Sequence, residues 1–228
     1  MENIIEKETF LTDQLVDKHV SRRKFMRLAG LLGVTATVAA SCNKTNDNSG
    51  VDLGSGDIGI LNYAYALEQL EAAFYTQVVA TPYTSITADE MMFMTDIRDH
   101  EIAHREFLKK ALGDKAIVPL EVDFSSITFS SRTSVLNTAQ AFEDLGVTAY
   151  NGAGYLIKDG GYLLLAGKIV SVEARHAALI RELLNVNSFL GDQVDAASVN
   201  ISRTPNEVLA IAGAYIKTKI NASNLPTG

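Results

Sequence analysis

The feature that most restricts this chain is a pattern that occurs twice. Glu68 is followed, after six intervening residues, by Tyr75, and Glu143 is followed in the same way by Tyr150. Each pair precedes a Glu-x-x-His, first Glu101 with His104 and then Glu173 with His176. Seven positions make two turns of an α-helix, so each tyrosine shares a face with its glutamate. Three positions make most of one turn, so each histidine shares a side with the glutamate before it. Two helix pairs therefore carry the same chemistry, and any fold for this chain has to accommodate both.

Apolar spacing supplies the helices. From Ile58 to about Ala80, Leu61, Ala64, Tyr65, Ala72, Tyr75 and Val79 fall on one face, with Glu68 in its middle. A second helix starts at the Thr87 cap, with Glu90 as its capping-box partner and Ile86 placed to staple to Met91, and stops at Gly113. The third is expected over Arg132 to Lys158 and the fourth over Gly161 to Leu184, with Asp159-Gly160-Gly161 turning them antiparallel. A last helix starts at Thr204-Pro205-Asn206-Glu207, where cap, N1 proline and capping-box glutamate coincide, and is expected to end near Ile220. Residues 114–131 keep no helical period and are long for a hairpin. A crossover running the length of a bundle explains them, and it makes helices two and three parallel. The class is all-α.

A carboxylate inside a bundle has three escapes: protonation, an ion pair or a metal. Here several glutamates fall on faces that a core would otherwise fill with apolar residues. Ile97 and Leu108 flank Glu101 and His104; Ile169, Ala177 and Ile180 flank Glu173 and His176. The tyrosines lie within reach of a carboxylate on a neighbouring helix and can fix its orientation.

With these motifs the sequence resembles the ferritin-like superfamily, in the subgroup with rubrerythrin-type Glu-x6-Tyr helices. Within it, the chain is most similar to the ferritin-like domain family that includes plant desiccation-related proteins. The segments 67–75 and 142–150 read like that family's first and third helices, and the likeness runs from about Ile58 to Ile220. It implies a ferritin-like four-helix bundle with a long crossover between helices 2 and 3 and an additional C-terminal helix. It also implies a two-metal centre. Glu68 and Glu143 would be terminal or bridging ligands, Glu101 and Glu173 would bridge or chelate, and His104 and His176 would each bind one metal. Glu71, one turn past Glu68, is a rival for its place; Glu68 is preferred because it keeps the spacing to Tyr75. Carboxylates with one imidazole per metal suit two iron or manganese ions, and ligand softness does not separate these.

The N-terminus reads differently. Ser21-Arg22-Arg23-Lys24-Phe25 leads into the apolar run Leu28 to Ala40. That run is too short to span a membrane, and the arginine pair resembles a twin-arginine export signal. Residues 1–41 are thus expected to be a lipoprotein-type signal peptide. The single Cys42 follows Ala39-Ala40-Ser41 at the position of lipid attachment, and residues 42–57 are expected to be a flexible tether to a domain over 58–228. An exported, periplasmic or cell-envelope protein held to a membrane surface through Cys42 follows. Removing residues 1–41 takes 6 of 20 basic and 5 of 27 acidic residues and leaves a net charge of −8. No basic patch survives, which argues against nucleic acid as a partner.

The expected function is reaction of the metal pair with dioxygen or hydrogen peroxide, as an oxidase, peroxidase or catalase-like protein against oxidative stress. The alternative is a non-enzymatic stress or desiccation-related protein with a structural metal clamp; iron storage in a cage ranks below both, although a homo-oligomer is compatible with all three. His100 is either a donor to the ligands from behind or an ordinary half-exposed histidine.

Overall fold

The computed structural model describes residues 50–227. The expected export signal, Cys42 and the first part of the expected tether lie outside the described residues. Strand β1 is Val51–Asp52, and helices α1 to α4 are Gly56–Ala80, Ala88–Leu112, Arg132–Gly154 and Gly160–Leu184. A short helix α5, Pro205–Ala212, and strand β2, Ile220–Asn221, complete the order. Among the described residues no helix is long and apolar enough to cross a membrane.

α1 is the centre of the bundle. Every residue from Gly59 to Ala72 is buried, where an amphipathic helix would expose half. A helix buried all round needs cover on all sides. α2 packs along it, α3 touches it, and the crossover closes the rest.

The crossover is held to α1 by two polar side chains that leave no strand or helix signal. Buried Asn62 donates its amide to the carbonyls of Leu53 and Lys115, and its Oδ1 accepts from the Ile117 N–H. Two turns further on, Gln69 Oε1 accepts from the Leu120 N–H. Phe124 and Phe129 then pack edge-on and tilted against Phe74, with ring centroids 5.9 and 6.0 Å away. Finally the Thr84 N–H reaches the Ser130 carbonyl beyond the C-terminus of α1. The chain thus walks α1 from one end to the other.

It delivers α3 to the end where α2 begins. Arg132, the first residue of α3, donates from Nε to Glu90 Oε1 at 2.7 Å in the first turn of α2, and from Nη2 to the Leu183 carbonyl at the end of α4. α2 and α3 therefore run parallel and α4 runs against both. Thr87 and Glu90 form the expected capping box of α2, and Thr204 with Glu207 that of α5.

Three expectations change. α3 ends at Gly154, four residues before Lys158, because Asp57 at the start of α1 accepts from the N–H groups of Lys158 and Asp159 and pulls the chain into a turn. α5 ends at Ala212, well short of Ile220. Beyond Gly213 the chain pairs with the crossover, Asp123 N–H to the Tyr215 carbonyl and Lys217 N–H to that of Glu121, and then runs parallel to β1. That pairing also brings Val51–Leu53 into the fold, with Leu53 fully buried, so order begins before Ile58. Gly152 is a close contact: a Cβ there would collide with the Arg203 carbonyl, so α3 accepts the chain entering α5 only at a glycine.

Candidate metal centre

The four long helices each turn acid inward. Glu68 from α1, Glu101 from α2, Glu143 from α3 and Glu173 from α4 are all fully buried, and His176 is 4 % exposed. His104 is nearly buried, its side chain 13 % exposed.

These six side chains meet at one place. His104 Nδ1 lies 2.8 Å from Glu173 Oε1, 3.5 Å from Glu68 Oε2 and 3.6 Å from Glu101 Oε2. His176 Nδ1 lies 2.8 Å from Glu101 Oε1 and 3.4 Å from Glu143 Oε2. Two groups of donor atoms result, each within a 4.8 Å span: Glu68, Glu101, His104 and Glu173, and Glu101, Glu143, Glu173 and His176. Glu101 and Glu173 belong to both. The two glutamates that precede the histidines thus lie between the half-sites, and Glu68 and Glu143 lie at opposite ends.

The tyrosines cross between helices. Tyr75 on α1 donates to Glu143 Oε1 on α3 at 2.6 Å, and Tyr150 on α3 donates to Glu68 Oε1 on α1 at 2.5 Å. In both glutamates this occupies the outer oxygen and leaves Oε2 facing an imidazole. Burial, together with those same carboxylates, pushes both phenols well above their usual pKa, so they remain donors.

The electrostatics are those of a site with too much negative charge. Burial raises the pKa of Glu68, Glu143 and Glu173, and neighbouring carboxylates add to it. Burial opposes a charge on His104 and His176 as well, yet the surrounding glutamates outweigh it and hold both imidazoles far above their usual value. Glu101, between the two imidazoles, is held below the usual carboxylate range despite its burial. Left to itself the cluster draws protons inward.

The donor set fits divalent cations by a separate criterion. Glu68 Oε2, both oxygens of Glu101 and Glu173, Glu143 Oε2 and the Nδ1 atoms of His104 and His176 are buried without a hydrogen-bond partner. Their short contacts with one another lack hydrogen-bond geometry. Unpartnered buried polar atoms are expensive, about 1–3 kcal/mol each, and eight converging on one point call for a shared cation. Four carboxylates would also balance two dications, and oxygen donors with one imidazole per ion suit iron or manganese.

The sequence matches the model of the ferritin-like domain over residues 56–186, more than half of the chain. The chain belongs to the ferritin-like domain family. A search among curated proteins returns no match. The matched segment holds α1 to α4 and all six converging residues.

Two further residues in this ferritin-like domain bear on the centre. His100 is exposed on α2, but its Nδ1 lies 2.9 Å from Nε2 of His176, and the two rings stack with 10° between their planes. Its position carries features of both sequence readings, exposed to solvent on one side and against His176 on the other. Glu71 is a fifth buried carboxylate, and burial with the charges of Glu173, Glu101, Glu143 and Glu68 raises its pKa strongly. It is absent from both donor groups.

Gly146 is the residue that sequence reasoning missed. A Cβ there would stand 3.1 Å from Glu71 Oε1 and 3.4 Å from Glu173 Oε2, so this glycine makes room for the fifth acid. The repeat holds the signal. Aligning Glu68 with Glu143 and Tyr75 with Tyr150 sets Glu71 against Gly146, a large acid on one helix facing a gap on the other.

Proposed function

We propose that this ferritin-like domain binds two divalent iron or manganese ions through Glu68, Glu101, His104, Glu143, Glu173 and His176, and that the loaded centre reacts with dioxygen or hydrogen peroxide. The observation that carries the reading is the convergence of eight unpartnered donor atoms from four helices on one buried point. Bound there, a redox-active metal pair would supply two electrons to a small oxidant within one site.

The chain's own residues have separate parts in this reading. Glu101 and Glu173 would be shared between the ions, and Glu68 and Glu143 would close the two ends. Tyr75 and Tyr150 hold the outer oxygens of Glu143 and Glu68, so those carboxylates keep their orientation whether or not an ion is bound. The helices exclude bulk water, which strengthens every charge interaction inside. The N-terminal features favour an exported protein tethered to a membrane surface at Cys42, where such a centre would protect the cell envelope against oxidants.

A test is elemental analysis of the purified full chain, followed by oxidant consumption after loading with ferrous or manganous ions. About two ions per chain, with oxidant consumed faster than by the Glu101→Ala and Glu173→Ala variants, is the expected result. Fewer than one ion per chain at saturating metal would sink the reading. Because all four helices contribute donors, a purely structural clamp is the second reading. It predicts the same two ions with no consumption of either oxidant.

A further inference from the structure

One helical turn from the acidic centre, the bundle holds a cavity of about 30 Å³. Its position follows from helix spacing. Ala64 lies four residues before Glu68, Leu108 four after His104 and Ile169 four before Glu173, and all three line it. Four residues of helix rise about 6 Å. Tyr150, which also lines it, donates directly to Glu68.

The walls differ in exposure. Lining residues on α1 and α3, such as Leu67, Ala149 and Ala153, are buried. On α2 and α4, Leu108 and Ile169 are buried too, but Phe107, Ala111, Tyr162, Leu165 and Ala166 are partly exposed. The mouth therefore lies between α2 and α4, and on the inner side Tyr150, through its bond to Glu68, links the lining to the centre.

Chemistry decides what fits. No charged residue lines the cavity, so a hydrated cation passing through would lose its water without a replacement ligand. Hydrogen peroxide carries two hydroxyls that need partners. Of the three tyrosines in the lining, Tyr150 already gives its hydroxyl to Glu68, Tyr63 offers one unpartnered hydroxyl, and Tyr162 belongs to the partly exposed wall. An ordered water needs two to four polar partners, and apolar cavities stay dry and take up apolar guests. A cavity needs roughly 10–15 Å³ to hold one water, so this space suits a small molecule of a few heavy atoms. Alanines at 64, 111, 149, 153 and 166 keep it open where larger core residues would close it.

We propose that this cavity is the antechamber by which dioxygen, rather than hydrogen peroxide or the metal ions, reaches the centre. The inference rests on the oxidant reading above and narrows it to the apolar oxidant.

Xenon pressurisation of crystals of the full chain tests the cavity without any metal. One xenon is expected against Leu67, Ala149 and Ile169. It should be lost in Ala166→Phe, and also in Ala111→Phe on the opposite lip, so that misfolding of one variant leaves the other to decide. With ferrous-loaded protein, each variant that keeps two ions per chain should raise the KM for dioxygen several-fold more than that for hydrogen peroxide. Ordered water in place of xenon overturns the proposal, and so does an equal effect on both oxidants. Xenon bound with neither oxidant consumed overturns the oxidant reading and the delivery role with it. Xenon absent while dioxygen is consumed overturns the cavity alone.

Discussion

Tyr150 on α3 and Glu68 on α1 are 82 residues apart in sequence and 2.5 Å apart in the fold, phenol donor to carboxylate oxygen. The bond ties the two halves of the repeat together at the centre of the bundle. Replacing Tyr150 by Phe removes the donor and leaves Glu68 Oε1 buried and unpartnered. The metal-free protein should lose about 1–3 kcal/mol of stability, as read by urea denaturation. Tyr75→Phe should do the same through Glu143. A loss well below that range for both would mean that the carboxylates find other partners.

His100 reaches the outer nitrogen of His176, and that contact has a consequence for metal binding. To present a lone pair at Nδ1, a neutral His176 must carry its proton on Nε2, and His100 Nδ1 stands 2.9 Å away to accept it. Loss of such a partner lowers metal affinity by about 10–100-fold. His100→Ala should show that loss in a metal titration with little change in the melting temperature of the metal-free protein, because His100 is exposed. His100→Gln keeps an acceptor on the side chain and should recover part of the affinity. Equal affinities for all three proteins would leave His100 without a role.

What could be read from the sequence is what local spacing encodes. The four long helices follow from apolar periodicity, and the capping boxes at Thr87 and Thr204 follow from residues three apart. The inward placing of Glu68, Glu101, Glu143 and Glu173 follows from the same periods. The path of the crossover does not, because Asn62 and Gln69 on an otherwise apolar helix give no local sign of the backbone groups they hold. Neither does the early end of α5, which is imposed by pairing with residues 121–123 about ninety positions earlier. Gly146 was hidden for a different reason: its part is to be absent, and only the doubled pattern says what it faces.

Glu71 and Glu68 compete for one role in the sequence, and a charge-neutral substitution separates them. Burial and four neighbouring carboxylates raise the folded-state pKa of Glu71. An acid whose folded pKa is raised weakens the fold above its unfolded pKa of about 4.3. Glu71→Gln removes that penalty, so the metal-free variant should match the parent near pH 4 and exceed it increasingly as pH rises toward 7. It should still bind two ions per chain, whereas Glu68→Gln should not. Loss of an ion from the Glu71 variant would move the ligand role to Glu71.

Glu90 predicts the opposite pH dependence at the other end of the bundle. Burial alone would raise its pKa, but the Arg132 guanidinium and the Thr87 N–H outweigh it and hold it below the usual carboxylate value. A depressed acid contributes stability that is present above its unfolded pKa and lost as pH falls through its folded pKa. Denaturation of the parent and of Glu90→Gln from pH 7 to pH 3 should show a gap that is constant near neutrality and narrows below about pH 4. A gap that stays constant into acid would assign the effect to the capping geometry instead of the charge.

Metal removal bears on the whole centre, because ions bound to the folded state alone stabilise it by mass action. At a free metal concentration of one hundred times Kd that amounts to about 2.7 kcal/mol per site. Chelator should therefore lower the melting temperature of the loaded full chain, and added ferrous or manganous ions should restore it. The Glu101→Gln, Glu173→Gln double variant removes the two charges shared between the half-sites, so its melting temperature should ignore both chelator and metal. Glu173→Gln alone should melt above the metal-free parent at neutral pH, since the raised pKa of Glu173 marks a carboxylate that burial penalises. A chelator effect that persists in the double variant would place the stabilising ions somewhere other than between α1 and α4.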